Sequence, residues 1–298
     1  MLTFDEILGV VYLQITVIGF LGNCILLFLN SIHLFNAQRK RIKNLIIITL
    51  AFSNAMMLLF RGISTTTRLW KVKCLLDVIG IRIITSMQIL TRSVSLCSTS
   101  FLSAYQAITI CPNNSIWAKF KRRSPKDFFL CILLCWFSFL LLDVTLVMYS
   151  VGDNNKTISK YGCNYGYFSL DVNHNNQLKF IIIIDVYDAL FVFLMIFSSG
   201  YMVSILLRHK KHVNHIHSKS LSTKISPEIK ATQVIVLLVS IFVLFNAFYP
   251  IFDFCVFYFK YGHTWMIHSS VILSLCYPSL SPFILISIDM QISRFCVH

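Results

Sequence analysis

Charged side chains are scarce in this chain. Asp, Glu, Lys and Arg make up 13% of its 298 residues, and acids are the rarer sign, 12 against 26 basic residues. About a quarter of an ordinary soluble domain is charged, so this shortage excludes that class. With 56% hydrophobic residues and a mean hydropathy of +0.72, the bilayer is the expected solvent. The net charge of +14 does not indicate a nucleic-acid binder. Such proteins carry basic residues on a polar surface, whereas here they are confined between apolar runs.

Other absences narrow the class. No HExxH, GxSxG, P-loop or dinucleotide fingerprint occurs, so no common catalytic signature suggests an enzyme, and no cofactor is implied. No zinc or iron-sulfur spacing occurs among the ten cysteines; Cys24, Cys97, Cys131, Cys135, Cys255 and Cys276 lie in apolar segments and read as small packing hydrophobes. His209, His212, His215 and His217 cluster, but no carboxylate or thiol completes a metal site, so a solvated basic loop is expected. No internal repeat or low-complexity tract is present. Residues 1–8 lack the basic start of a cleaved signal peptide, and the apolar run behind them is too long for one, which suggests a retained signal-anchor.

What is present is a series of apolar segments, each near the roughly 20 residues a helix needs to span the hydrocarbon core. Seven qualify: 8–32, 44–63, 78–110, 127–150, 178–207, 231–257 and 265–288. The expected fold is an all-α seven-transmembrane helix bundle forming one domain over 1–298. Basic residues orient it. Sixteen fall in one set of flanks: Arg39, Lys40, Arg41, Lys43, Lys119, Lys121, Arg122, Arg123, Lys126, Arg208, Lys210, Lys211, Lys219, Lys224, Lys230 and Arg294. Eight fall in the other: Arg61, Arg68, Lys71, Lys73, Lys156, Lys160, Lys179 and Lys260. The richer set is expected in the cytoplasm, which puts the N-terminus outside and the C-terminus inside. Asn155-Lys156-Thr157, a glycosylation sequon, falls on the outer side by the same rule.

Seven helices do not define a function. A transporter is expected to show repeats and matched Gly/Pro breaks, yet Pro250, Pro278 and Pro282 all lie in the last two spans. A channel needs a re-entrant filter or pore-lining ring, and no segment supplies one. A signalling receptor remains, with a transporter as the alternative from a different class. Ionisable groups in a span cost about 2.5–3.5 kcal/mol each on insertion scales and should face the interior. Arg82, Thr85 and Arg92 share a face of the third span, Asp185 and Asp188 lie two turns into the fifth, and Asp253 lies on the sixth near Tyr249. Two readings stand. One is a ligand pocket of Arg82, Arg92, Asp185, Asp188, Tyr249 and Asp253, with Trp265 and His268 contributing; the other is mutual neutralisation that holds the helices in register. For Asn23, Asn54, Asp143 and Asn246, interhelical hydrogen bonding is expected.

Certain strings are more specific. They are Ser95-Leu96-Cys97, Leu102-Ser103 and Gln106-Ala107-Ile108-Thr109-Ile110 in the third span and Leu134-Cys135-Trp136 in the fourth. Ser226-Pro227-Glu228-Ile229-Lys230-Ala231-Thr232-Gln233 begins the sixth, and Cys276-Tyr277-Pro278-Ser279-Leu280-Ser281-Pro282-Phe283 lies in the seventh. With them the chain resembles the vomeronasal type 1 receptors, seven-helix G-protein-coupled receptors for pheromones. It lacks the Asp-Arg-Tyr and Asn-Pro-x-x-Tyr motifs of rhodopsin-like receptors. The resemblance implies a plasma-membrane receptor that binds a small semiochemical in the outer half of the bundle. It also implies an inhibitory-class heterotrimeric G protein contacting Lys119, Lys121, Arg122, Arg123, Arg208, Lys210, Lys211, Glu228 and Lys230. Bitter-taste receptors are the nearest alternative family. The family usually has a cysteine after Asp-x-Ile-Gly, but here Asp77-Val78-Ile79-Gly80 is followed by Ile81. The family's bridge to Cys163 is then either lost or made by Cys74.

Overall fold

In the computed structural model the described residues are 4–36, 41–70, 78–111, 125–151, 174–216 and 264–296, with single positions at 237, 240, 241, 243–245 and 248. All the regular structure among them is helical. Helix α1 is Phe4–Asn36; α2 is Arg41–Met57, continuing through a π-helical segment Leu58–Ile63 into α3, Ser64–Leu69. The others are α4 (Val78–Ile110), α5 (Pro125–Val151), α6 (His174–Ile216) and α7 (Thr264–Cys296).

Helix α4 is the axis of the bundle, packing against α2, α5 and α6, while α1 packs against α2 and α7. The inward faces meet in a core that includes Leu26, Leu50, Leu96, Leu102 and Met195. Outward faces are apolar as well: α5 exposes Leu130, Leu134, Phe137 and Leu141, and α6 exposes Ile182, Val186, Leu190, Phe193 and Phe197. The interior instead holds many small polar groups, among them Thr16, Asn23, Ser53, Asn54, Ser95, Thr99 and Ser103. Water would penalise such contiguous apolar faces, and hydrocarbon does not.

Four described helices are long and apolar enough to cross a membrane, at Phe4–Leu34, Ile42–Thr67, Ile182–Ile205 and Trp265–Ser287, and Leu130–Thr145 is a shorter apolar stretch. The third expected span, α4, is absent from this set because it is rich in Ser and Thr and contains Arg82 and Arg92. Its position explains that composition. Residues 91–100 are all buried, so α4 meets other helices rather than lipid and has no need of an apolar surface. The sixth expected span, 231–257, lies outside the described residues except at the single positions given above.

Small residues set the closest approaches. A Cβ on Gly62, in the π segment, would run into Thr16 Oγ1 and lie 2.7 Å from its Cγ2. On α1, a Cβ on Gly19 would lie 2.8 Å from the Ser279 Cα. Gly62→Val is therefore expected to wedge α1 from α2 and cost about 1–3 kcal/mol by overpacking. A Gly200 Cβ would meet nothing within 4 Å, so Gly200→Ala should be neutral or gain up to about 1 kcal/mol of helix propensity. Melting of the two purified variants in detergent checks both; equal midpoints would contradict the contact.

Candidate functional site

One helix face organises the polar interior. Gln88, Arg92, Ser95, Thr99 and Ser103 of α4 are spaced 4, 3, 4 and 4 residues apart, which confines them to an arc of about 80° at 3.6 residues per turn. Each reaches a different part of the bundle. Gln88 donates through Nε2 to the Phe60 carbonyl at 2.9 Å and accepts from Arg61 at 3.3 Å. Arg92 meets Asp188 of α6 with Nη2 to Oδ2 at 2.7 Å. Ser95 donates to Asn54 Oδ1 at 2.5 Å, the Thr99 and Tyr277 hydroxyls are 2.8 Å apart, and those of Ser103 and Ser198 2.6 Å.

The ion pair is the centre of this arrangement. Its side chains are only 9% and 6% exposed, so neither charge is solvated by water. Two such ions are tolerable in a dry interior because each neutralises the other; removing either would leave an uncompensated charge. Asp185, one turn away on α6, is half-buried.

The asparagines tie the frame together. Asn54 also donates from Nδ2 to Ser281 Oγ at 2.9 Å, joining α2, α4 and α7 at one residue. Asn23 of α1 donates to the Pro278 carbonyl at 2.8 Å. That carbonyl would ordinarily accept from the backbone N–H four residues on, but position 282 is proline and has none. Asn23 thus supplies the donor that Pro282 removes.

The structure distributes the expected site residues unevenly. Arg92 and Asp188 are brought into contact. His268 is turned to α1, where the Tyr12 hydroxyl lies 3.2 Å from its Nδ1 and the rings are 6.3 Å apart. Trp265 opens α7 and is 54% exposed. Arg82 sits in the first turns of α4. Tyr249, Asp253 and Asn246 lie outside the described residues. So do Asn155, Cys74, Cys163, Lys119, Lys121, Arg122, Arg123, Glu228 and Lys230. Arg208 is exposed near the end of α6, and Lys210 and Lys211 follow it on the same helix. Interhelical bonding is found for Asn23 and Asn54; the Asp143 carboxyl has Ser86 of α4 beside it, while its Oδ1 is buried with no hydrogen-bond partner. No group of three or more His, Cys, Asp or Glu placed to hold a metal ion occurs among the described residues.

The small polar partners Ser95, Thr99, Gln88, Ser198, Ser281 and Tyr12 are not evident from insertion cost, because each is cheap to place in a helix. The signal that would have found Gln88, Ser95 and Thr99 is the 4, 3, 4, 4 spacing of the α4 stripe; nothing comparable marks Ser198, Ser281 or Tyr12.

A model of the vomeronasal organ pheromone receptor family matches residues 6–298. Among curated proteins, the vomeronasal type-1 receptor 1 of Homo sapiens is 33% identical over 301 residues, covering 99% of this chain and 85% of the relative. The vomeronasal type-1 receptor 4 of Homo sapiens is 33% identical over 282 residues, 94% of each protein. The vomeronasal type-1 receptor 90 of Rattus norvegicus is 33% identical over 295 residues, 96% of this chain and 92% of the relative.

Proposed function

Because the chain belongs to the vomeronasal organ pheromone receptor family, a family of multi-pass membrane receptors rather than enzymes, we propose that it is a chemosensory receptor of the plasma membrane. In this reading its single domain, 1–298, crosses the bilayer seven times with the N-terminus outside. A small semiochemical binds in the outer half of the bundle and drives nucleotide exchange on an inhibitory-class heterotrimeric G protein. The observation that carries the pocket is the buried Arg92–Asp188 pair, 2.7 Å apart between α4 and α6. A polar group on a ligand competes for either partner and so shifts the relation of the two helices. Asp185, Arg82, Tyr249 and Asp253 complete the pocket in this reading, with Trp265 and His268 at its margin.

The cytoplasmic face is proposed to be the basic one. Arg208, Lys210 and Lys211 extend α6 beyond its apolar span, Lys119, Lys121, Arg122 and Arg123 precede α5 in the sequence, and Glu228 and Lys230 follow α6. Membranes carrying the receptor and the G protein, screened with volatile and steroid-like compounds, should show ligand-dependent nucleotide exchange. Accumulation of a labelled compound inside vesicles without exchange would instead establish a transporter.

Orientation has its own test. Expressed in mammalian cells, the chain should migrate faster after peptide N-glycosidase treatment, and Asn155→Gln should remove that shift. An unaltered band for the wild-type chain would withdraw the sequon as support for an outer loop. If Cys74 and Cys163 form the outer bridge, neither thiol alkylates before reduction; labelling of both without reductant would refute it.

A further inference from the structure

Two of the strings singled out in the sequence meet in space. Cys97 of α4 and Cys135 of α5 are hydrogen-bonded to each other through their thiols. Cys97 forms a cluster with Val94 and Phe139, and Cys135 and Trp136 pack against it. Exposure is graded along this contact. Cys97 is 1% exposed, Cys135 is half-buried, and Cys131, one turn earlier on α5, is exposed. Leu130, Leu134 and Phe137 are exposed beside them, so in a bilayer this face of α5 meets lipid.

Taken singly, either cysteine reads as a small packing residue. Taken together, one thiol is sealed in the bundle and the other opens to the surroundings, which is the arrangement of an oxidisable thiol beside a resolving one. Depth decides which reagents reach it. Cys135 follows the start of α5 at Pro125 by about 15 Å at 1.5 Å per residue, half of a hydrocarbon core roughly 30 Å thick. Charged thiols such as glutathione do not enter that layer. An organic hydroperoxide carried among the acyl chains does.

We propose that Cys97 and Cys135 form a redox site in the membrane interior, at which an organic hydroperoxide of the bilayer joins them by a disulfide that ties α4 to α5. The Cys135 sulfur attacks the terminal oxygen of the hydroperoxide, the O–O bond breaks, and the alcohol leaves with the Cys135 proton, giving a sulfenic acid. The Cys97 sulfur then attacks the Cys135 sulfur, the S–O bond breaks, and hydroxide leaves with the Cys97 proton as water. Two thiols lose two electrons and two protons, and the hydroperoxide becomes an alcohol and water. The disulfide is neutral and needs no more room than the two thiols already fill, so hydrocarbon does not oppose it. The proposal rests on α5 facing lipid, as in the proposed function, and not on a ligand or a G protein.

The full chain in nanodiscs of a saturated phosphatidylcholine tests it with cumene hydroperoxide, raised until the exposed Cys131 is oxidised, which reports separately that the reagent reaches α5 from lipid. After alkylation of free thiols and chymotryptic digestion, mass spectrometry should find the Cys97 and Cys135 peptides linked, two hydrogens lighter than their sum, and parted by dithiothreitol. Cys135→Ser should leave Cys97 a free thiol at the same dose, because the oxidant does not reach it directly. Cys97→Ser should let Cys135 gain one or more oxygens instead, since no second thiol resolves the sulfenic acid. The wild-type link decides the matter if either variant folds poorly. A pair that stays unlinked at that dose, whether as free thiols or each carrying oxygen, would overturn the site, as would a link from Cys135 to Cys131 in its place. A Cys131 that never oxidises would withdraw the lipid-facing reading of α5 and the proposal with it.

Discussion

Arg92→Leu is expected to destabilise the receptor by about 3–5 kcal/mol, because it leaves Asp188 as a buried carboxylate without its cation. The pair lies 2.7 Å apart with both side chains nearly inaccessible, so water cannot take over the lost contact. Asp188→Leu should cost a similar amount. Replacing both should not double the loss: Arg92→Leu with Asp188→Leu removes both desolvation penalties at once and should recover most of the stability. Melting of the detergent-purified variants measures this, and a simple sum in the double variant would show that the two charges do not interact. The same double variant separates two roles for the pair. If the charges only hold α4 against α6, a folded Leu/Leu protein still promotes nucleotide exchange with ligand; if they contact ligand, it folds and stays silent.

The second large effect is expected at Asn54→Leu. Asn54 accepts from Ser95 and donates to Ser281, so one side chain joins α2, α4 and α7. Leucine of similar size keeps the volume but strands both hydroxyls in a dry core, at about 2–4 kcal/mol for two lost bonds and their desolvated partners. Hydrogen bonds between membrane helices average about 0.6 kcal/mol when the partner can find a substitute, which sets the lower bound. Ser95→Ala in an Asn54→Leu background should then recover part of that loss, since it removes one of the stranded hydroxyls. A full additional loss would mean that Ser95 has an equal acceptor elsewhere. Because α7 carries Pro278 and Pro282 in the same stretch as Ser281, the Asn54 contact also fixes α7 where its own backbone ladder is interrupted.

Much of the site chemistry was legible before any fold. Arg92 and Asp188 stand out because a charge in an apolar segment has to be compensated, and Asn23 and Asn54 because an amide there has to find a partner. What stayed hidden was direction. His268 has the same sequence credentials as a pocket residue, yet it faces Tyr12 of α1. Asp143 reads as an interhelical bonding residue, and Ser86 of α4 stands beside its carboxyl, yet its Oδ1 is buried without a partner.

From the sequence alone follow the bilayer as solvent, the helical class, the asymmetry of basic flanks and the family, since these depend on composition, periodicity and local strings that no folding event can change. The tertiary structure decided which polar residue meets which. It made α4 the central helix and so accounted for its polarity, selected Asp188 as the partner of Arg92, and set Asn23 against the carbonyl that Pro282 leaves unpaired. Those pairings join residues as far as 255 positions apart, and they arise only when helix rotation and crossing set which faces come together.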